Sequence, residues 1–195
     1  MKKLLITGFD PFGGERTNPS WEAVRRLPDA LHGWQLTKLQ LPTVFTAAAH
    51  RLLENVDELE PEAVICVGQA GGRSAITPEV IGINLQEARI PDNAGQQPVN
   101  EPVLPGGPAA YFATLPVREL VAAIQAAGVP AALSYTAGTF VCNNVLYSLL
   151  HHTQSSRIRA GFIHVPWLPE QAKEGQPSLP LAEIVRGLEA AIAVL

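Results

Sequence analysis

The stretch AVICVG, residues 63–68, decides how the rest of the 195-residue chain is interpreted. It is a continuous apolar run without polar alternation, which is typical of a central parallel strand covered on both faces. Such a strand requires helices on both sides of its sheet, so helical patterns are expected before and after it. The chain leaves this strand at Gly68, where a glycine-rich loop follows.

Strand-like and helix-like patterns alternate outward from this run. The predicted strands are KKLLITG, WQLTKLQLP, VIGINL, PAALSYTA and AGFIHVP. The predicted helices are WEAVRRL capped by Ser20, residues 44–58, VRELVAAIQAAG, NNVLYSLLHH and LAEIVRGLEAAIAVL. Residues 86–115 hold many Pro, Gly, Asn and Asp residues, and a loop of that length is usually functional or mobile. The alternation predicts one α/β domain over residues 1–195 with a largely parallel sheet.

Composition excludes several classes of function. The net charge of −4 and the pI of about 5.7 argue against a nucleic-acid or anionic-membrane surface. The apolar run before Gly8 is too short for a secretion signal, and no stretch approaches the ~18 apolar residues of a membrane span. We therefore expect a cytoplasmic protein without nucleic-acid or membrane partners. Two distant cysteines without CxxC spacing exclude a cysteine zinc site and argue against a disulfide scaffold.

The carboxyl ends of parallel strands point to the functional residues, because ligands bind there in open α/β sheets. Four such places carry unusual residues: the loop after Gly8, the loop after Gly68, the turn that holds Cys142, and the end of FIHVP. That coincidence predicts a site built from all four.

Cys142 is the first candidate within this site. A lone cysteine is most often a buried structural thiol, and we assign that role to Cys66 inside AVICVG. Cys142 instead follows the turn GTFV and precedes an apparent helix that begins at Asn143. Free N–H groups and the positive end of the helix dipole would favour a thiolate there and would stabilise a developing oxyanion.

A cysteine nucleophile requires a base, and His164 is the best placed of five histidines. The other four lie among polar or helical surface residues, whereas His164 lies near the end of an apolar strand. Its separation from Cys142, 164 − 142 = 22 residues, fits one helix between neighbouring parallel strands. A third group usually orients the base. Several loop carboxylates could orient His164, and the sequence does not choose among Asp10, Glu15, Glu79, Glu87, Asp92 and Glu101.

Glycine clusters and aromatic residues occupy the loops at the same strand ends. GFDPFGG and GQAGGR match neither GxGxxG nor GxxxxGK[ST], so they give a weak phosphate signal. Glycine also allows the backbone to approach a small neutral ligand closely. Phe9, Phe12 and Phe140 stand in these loops. Each of these loop side chains needs a packing partner, and the flat ring of a small ligand is one candidate.

Several long segments resemble a known family. The chain is similar over nearly its whole length to the pyroglutamyl-peptidase I family of cysteine peptidases. The segments that carry the resemblance are GFDPFGG, NPSWEAV, VGQAGGR with ITPE, INLQEARIPDN, GGPAAY, SYTAGTFVCN and GFIHVPWLPEQ. The family glutamate is followed here by Val80 where a basic residue is common. Asn144 stands where a bulkier residue is common.

The resemblance implies a role for each site residue. Cys142 would be the nucleophile, His164 the general base and Glu79 the carboxylate that orients it, while Arg89 and the Cys142 backbone would hold the oxyanion. The implied binding site for the pyroglutamyl ring consists of Phe9, Phe12, Asn18, Gln69, Phe140 and Val141. The implied fold is a single three-layer α/β/α domain, assembled as a homotetramer or dimer, without a metal or an organic cofactor.

The predicted function is removal of N-terminal pyroglutamate from peptides through an acyl-enzyme. Two other classes of function stay open at this stage. One is an α/β enzyme that processes a small heterocycle such as a nucleoside, and the other is a catalytically silent binding module with the same fold.

Overall fold

The strand AVICVG lies in the interior of a six-stranded sheet. The computed structural model describes residues 1–195. The strands are β1 (Lys2–Phe9), β2 (Ala30–Leu31), β3 (Trp34–Leu41), β4 (Ala63–Gln69), β5 (Thr77–Pro78), β6 (Ile81–Ile83), β7 (Ala110–Phe112) and β8 (Arg159–Val165). Their order in the main sheet is β2-β3-β1-β4-β8-β5, and β6 pairs with β7 separately. Strands β3, β1, β4 and β8 run parallel, whereas β2 and β5 are antiparallel edge strands.

Five helices cover the two faces of this sheet. They are α1 (Pro19–Val24), α2 (Ala47–Leu59), α3 (Val117–Ala126), α4 (Val141–Thr153) and α5 (Leu181–Ile192). Apolar residues of α1, α3 and α5 pack with one face of the sheet, and those of α2 and α4 pack with the other. On β4, Ile65 and Val67 face the first core while Val64 and Cys66 face the second. The predicted three-layer α/β/α fold with a largely parallel sheet is confirmed.

Burial on both faces explains the composition of β4. Every residue from Ala63 to Val67 has no solvent exposure. Burying one Ile or Val side chain fully contributes roughly 1.5–3 kcal/mol relative to leaving it exposed. A polar residue at any of these positions would have no water to contact, which is why the run contains none.

Two predicted helix starts next to the strand ends were each wrong by two residues. Asn18, not Ser20, caps α1: its Oδ1 accepts hydrogen bonds from the N–H and the hydroxyl of Ser20, at 3.1 and 2.8 Å. Pro19 occupies the first helical position, where its fixed φ and missing N–H are tolerated. Helix α4 begins at Val141 rather than Asn143, so Cys142 lies within the first turn.

The predicted strand PAALSYTA was also wrong. Residues 130–134 run beside β5 and make only isolated bridges, Ile76 with Ala131 and Glu79 with Ser134. Pro78 has no N–H to donate, which prevents a regular ladder at this edge. Strand β5 lies between this segment and β8, so the segment is not a direct neighbour of β8. The inference that Cys142 and His164 follow neighbouring parallel strands fails for this reason, although the two residues still meet.

The long loop of residues 86–115 forms only one short strand, β7, which pairs with β6 outside the main sheet. A buried carboxylate fixes its first part. Asp92 accepts hydrogen bonds from the N–H groups of Phe45, Ala94 and Gln96 at 2.8–2.9 Å. The segment that carries Arg89 is thereby attached to the start of α2. None of the five helices is both long and apolar enough to cross a bilayer.

Candidate active site

Cys142 lies in the first turn of α4, above the end of β4. Phe140 is the N-cap residue of α4, and its side chain makes no capping hydrogen bond. The N–H groups of the first turn have no partner within the helix either. They are therefore available to a ligand beside the thiol. Gly68 makes room for the sulfur, because a Cβ at that position would stand 2.9 Å from the Cys142 Sγ.

His164 lies on β8 directly beside Gly68 in the parallel register. Its Nδ1–H donates a hydrogen bond of 2.7 Å to the Oε1 of Glu79. Both side chains are buried, and the Phe162 ring packs 4.7 Å from the imidazole. Since Nδ1 carries the proton in this bond, Nε2 is the basic nitrogen of the neutral ring. His164 lines the same cavity as Cys142.

The structure separates Glu79 from the other candidate carboxylates. Glu79 follows β5, and its N–H donates to the carbonyl of Phe162, which fixes it beside the imidazole. Asp92 and Asp10 accept hydrogen bonds from loop backbone groups instead. The remaining candidates lie elsewhere in long loops, with Glu101 paired to Gln86 and both Glu15 and Glu87 in a second cavity.

The charge state of the His164–Glu79 pair follows from burial and hydrogen bonding. Burial alone would raise the pKa of Glu79, but the hydrogen bond and charge of His164, together with the hydrogen bond from Arg73, hold it below its usual 4.5. Burial lowers the pKa of His164 below 6.5, although the hydrogen bond to Glu79 opposes that shift. At neutral pH the pair is therefore an ionised carboxylate and a neutral imidazole.

The surroundings of Cys142 oppose the expected thiolate. The residue keeps some solvent exposure, but the crowding around its sulfur and the negative charge of Glu79 raise the thiol pKa to about 12. Backbone hydrogen bonding at the helix start lowers this pKa by less than burial raises it. A buried thiol next to a neutral imidazole is suited to transfer its proton to the base during attack.

Arg73 is a site residue that the sequence analysis did not identify. Its guanidinium donates a 2.7 Å hydrogen bond to the Oε1 of Glu79, which is the oxygen that His164 also contacts. It also binds the Thr77 hydroxyl and the Thr136 carbonyl. The only indication in the sequence is an arginine that directly follows the glycine-rich segment QAGG and precedes Glu79.

The cavity next to Cys142 has a volume of about 350 Å³ and aromatic walls. Phe9, Phe12 and Phe140 all line it, as the sequence analysis predicts. The Phe12 and Phe140 ring centroids lie 6.0 Å apart, and Phe45 and Phe140 pack edge to face with their centroids 5.2 Å apart. Phe45 was not predicted. It supports Phe140 from the core, where it is 2% exposed.

Three of the four remaining predicted residues also line this cavity. Asn18 and Gln69 do so, with amide groups that already have partners. The Asn18 Nδ2 donates to the Asp10 carbonyl while its Oδ1 caps α1, and the Gln171 amide donates to the Gln69 Oε1. Arg89 is exposed at the rim and forms no ion pair. Val141 does not line the cavity. Its side chain is fully buried in the core between α4 and the sheet, because it lies on the inner face of the helix.

The described chain has no group of three or more His, Cys, Asp or Glu side chains arranged to hold a metal ion.

Gly68→Ala tests the packing between β4 and the thiol. The added Cβ would stand 2.7 Å from the Phe162 ring and 2.9 Å from the Cys142 Sγ, so one of them must move. Displacing a reacting atom by about 1 Å can cost ~10²-fold in rate. We therefore expect a loss of that order in kcat/KM for the reaction at Cys142, measured together with the Tm.

Gly161→Ala is the matched control on β8. Its Cβ would meet the Leu115 side chain at 2.7 Å, which is a similar overlap away from the thiol. Both substitutions overpack the core, at a typical cost of ~1–3 kcal/mol in stability. Equal losses of activity in the two variants would show that overpacking alone, and not displacement of the thiol, explains the effect.

Comparisons with known proteins identify the family of the chain. The family model described as pyroglutamyl peptidase matches residues 2–195. A pyrrolidone-carboxylate peptidase of Levilactobacillus brevis is 54% identical, over 99% of this chain and 97% of that relative. One from Erwinia tasmaniensis is 53% identical, over 100% of this chain and 92% of that relative.

Solved structures give the same result. The crystal structure of pyroglutamyl peptidase I from Bacillus amyloliquefaciens is 52% identical and superposes with a TM-score of 0.95, covering 99% of this chain and 94% of that one. A mutant pyrrolidone carboxyl peptidase from Pyrococcus furiosus is 39% identical with a TM-score of 0.94, covering 98% and 97%. The resemblance seen in the sequence motifs is confirmed, and the chain belongs to the pyroglutamyl peptidase family.

Proposed function

We propose that this chain removes pyroglutamate from the N-terminus of peptides, with Cys142 as nucleophile, His164 as base and Glu79 as the group that orients the base. The observation that carries the proposal is that Cys142 and the His164–Glu79 pair meet in one aromatic-walled cavity. Membership of the family supports the substrate class.

Acylation begins from the neutral thiol and imidazole. The Cys142 sulfur attacks the pyroglutamyl carbonyl carbon while its proton moves to Nε2 of His164. A tetrahedral oxyanion forms and then collapses, which breaks the C–N bond. The imidazolium gives the proton to the departing amine, and a thioester to Cys142 remains.

Deacylation uses the same groups in reverse. His164 takes a proton from water, and the resulting hydroxide attacks the thioester carbonyl. The carbon–sulfur bond breaks, the proton returns to the sulfur, and free pyroglutamate leaves. In both steps Glu79 stabilises the imidazolium and keeps Nδ1 protonated.

Stabilisation of the oxyanion is assigned to the start of α4 and to Arg89. The uncapped first turn presents N–H groups beside the Cys142 sulfur. Arg89 is an unpaired cation on the rim of the same cavity. Donors that are fixed before the reaction need no reorganisation in the transition state, and one such donor is typically worth ~10²–10³ in rate.

The cavity chemistry suits a neutral lactam. Pyroglutamate has no ammonium group, so its binding site needs flat apolar walls and amide partners rather than a carboxylate. We assign the walls to Phe9, Phe12 and Phe140, and the lactam partners to Asn18 and Gln69.

The departing peptide has a path out of this cavity. A second cavity of about 550 Å³ shares Phe12, Gln69, Arg89 and Phe140 with the first and opens toward Trp167. We propose that residues after the pyroglutamyl group lie there. The predicted homo-oligomer and cytoplasmic location rest on the resemblance and on composition, and they stay predictions.

Hydrolysis of matched amides tests the proposed function. We expect release of 7-amino-4-methylcoumarin from its pyroglutamyl amide without added metal, and inhibition by iodoacetamide. The prolyl amide has the same ring size but lacks the lactam carbonyl. A site built to hydrogen-bond that group rejects the analogue by ~10⁴–10⁵-fold. Comparable rates on the two amides would contradict lactam recognition.

No release from the pyroglutamyl amide by the folded protein would contradict the peptidase proposal itself. In that case a heterocycle-processing enzyme or a silent binding module would explain the fold better.

A further inference from the structure

Arg73 joins three separate segments next to the catalytic pair. It follows the glycine turn at Gly72, whose φ of +86° is in the left-handed region, and its side chain points back across β5. Its fork of N–H donors reaches the Thr77 hydroxyl, the Glu79 carboxylate and the Thr136 carbonyl. Thr136 belongs to the segment that leads into α4. One side chain thus connects the acid of the site with the backbone that precedes the nucleophile.

Glu79 depends on this contact more than an ordinary acid would. Its side chain is completely buried, and one of its oxygens, Oε2, has no hydrogen-bond partner. The other oxygen receives both the His164 Nδ1–H and an Arg73 N–H, each at 2.7 Å. Arg73 is the only permanent cation that contacts this carboxylate. A buried carboxylate that lost this cation would have only the protonated His164 imidazole as a charged partner to offset its burial.

We propose that Arg73 is a positioning residue for the reaction: it holds the Glu79 carboxylate against His164 and offsets the carboxylate charge at the Cys142 thiol. The proposal rests on the proposed function, because it concerns the geometry of the same three side chains.

The charges that face the thiol and the imidazole support this role. Glu79 is the anion next to both, Cys66 is the second thiol near Cys142, and Arg89 is a further cation on the cavity rim. The charge of Glu79 raises the pKa values of Cys142 and His164, whereas that of Arg73 lowers both. Without Arg73, the charge of Glu79 would raise the pKa values of the thiol and the imidazole further. The thiol would then lose its proton less readily, and the imidazole would stay charged, and unable to act as a base, up to a higher pH.

Lysine cannot replace this arginine completely. A guanidinium presents five N–H donors in a rigid plane, and Arg73 uses them on acceptors in three segments. An ammonium group is a point charge on a flexible chain. Arg73→Lys therefore retains the charge while it loses part of the orientation, and Arg73→Met loses both. The pair of variants separates the two contributions.

The experiment measures kcat, KM and the pH dependence of kcat/KM on a pyroglutamyl amide for both variants. In Arg73→Met we expect kcat to fall ~10–100-fold with KM changed less than threefold, because the aromatic walls and amide groups assigned to the lactam remain, although Arg73 also lines the cavity. The acidic limb should move to higher pH. Arg73→Lys should restore the position of that limb but not the full kcat. Arg51→Met is the control, since Arg51 is exposed and forms no ion pair, and it should leave all three quantities unchanged.

A second measurement does not depend on the substrate. The rate at which iodoacetamide alkylates Cys142, followed by peptide mass spectrometry between pH 6 and 9, reports the thiol directly. Arg73→Met should slow this rate at each pH. If the protein did not hydrolyse the pyroglutamyl amide but alkylation was slowed, only the proposed function would fail.

A purely structural role predicts a different outcome. Arg73→Met would then lower the Tm while kcat, the acidic limb and the alkylation rate stayed at wild-type values, and that result would overturn the proposal. Should Arg73→Met fail to fold, the double variant Arg73→Met/Glu79→Gln removes the unpaired buried charge. In the Glu79→Gln background, removal of Arg73 should lower kcat less than twofold, because the carboxylate that it positions is gone. A further 10-fold loss there would also overturn it.

Discussion

Replacing Cys142 with alanine should abolish hydrolysis of a pyroglutamyl amide. Removing the nucleophile of a comparable hydrolytic site costs on the order of 10⁶-fold in kcat. No other side chain can take over, since the second thiol, Cys66, is fully buried on β4. The variant should fold, because the substitution removes only the sulfur from a partly exposed position in the first turn of α4. The measurement is kcat/KM on the coumarin amide, together with the circular dichroism spectrum and the Tm.

Cys66→Ala provides the matched control for this result. It removes a thiol from the core and should lower the Tm while kcat/KM changes by less than about threefold, since the residue lies outside the cavity. Iodoacetamide should label Cys142 and leave Cys66 unmodified in the folded wild-type protein. Normal turnover by a folded Cys142→Ala variant would disprove the assignment of the nucleophile.

Much of the fold could be predicted because local patterns and burial agree along most of the chain. AVICVG is apolar throughout because β4 is covered on both faces, and such a run has few alternative structures. PAALSYTA failed for a reason that no local pattern contains. Its partner strand has Pro78 at the position where a ladder donor is needed, so the pairing at that edge is interrupted.

The site could be predicted in part because strand ends and the start of a helix bring particular residues together. Cys142 and His164 were identified from local context, but the strand order inferred between them was wrong. Spacing could not choose Glu79 among the loop acids, because the choice depends on an antiparallel edge strand of only two residues. Arg73 was missed for the same reason: its acceptors belong to segments that meet only in the folded chain.

Burial of the reacting groups changes the expected chemistry. A helix N-terminus favours a thiolate, and that effect was the basis for expecting one at Cys142. In the folded chain, desolvation and the charge of Glu79 outweigh it and raise the pKa of the thiol, which favours the protonated form. Burial also keeps His164 neutral. The proposed reaction would therefore start from a neutral pair, and charge would separate only when the substrate carbonyl accepts the electron pair of sulfur.

If the pair is neutral at rest, the proposed reaction requires His164 as the base. His164→Ala leaves a protonated thiol with no base, so we expect kcat to fall ~10⁴–10⁶-fold, close to the effect of removing the nucleophile. His50→Ala is the control: His50 is exposed on α2, outside the catalytic cavity, and its removal should leave kcat unchanged. His164→Ala should also lose the iodoacetamide sensitivity of Cys142 at neutral pH. Wild-type rates in a folded His164→Ala protein would exclude this histidine as the base.

The pH dependence of the wild-type protein tests the same assignment without a substitution. The base acts in its neutral form, and burial lowers the pKa of His164 below 6.5. The neutral form therefore persists to lower pH than for a solvated imidazole, and the acidic limb of kcat/KM should have its midpoint below pH 6.5. Glu79→Gln removes the charge that raises this pKa, so the limb should move further down while kcat falls by up to ~10⁴-fold. A wild-type midpoint above pH 7, or an upward shift in Glu79→Gln, would contradict a neutral resting imidazole held by an ionised Glu79.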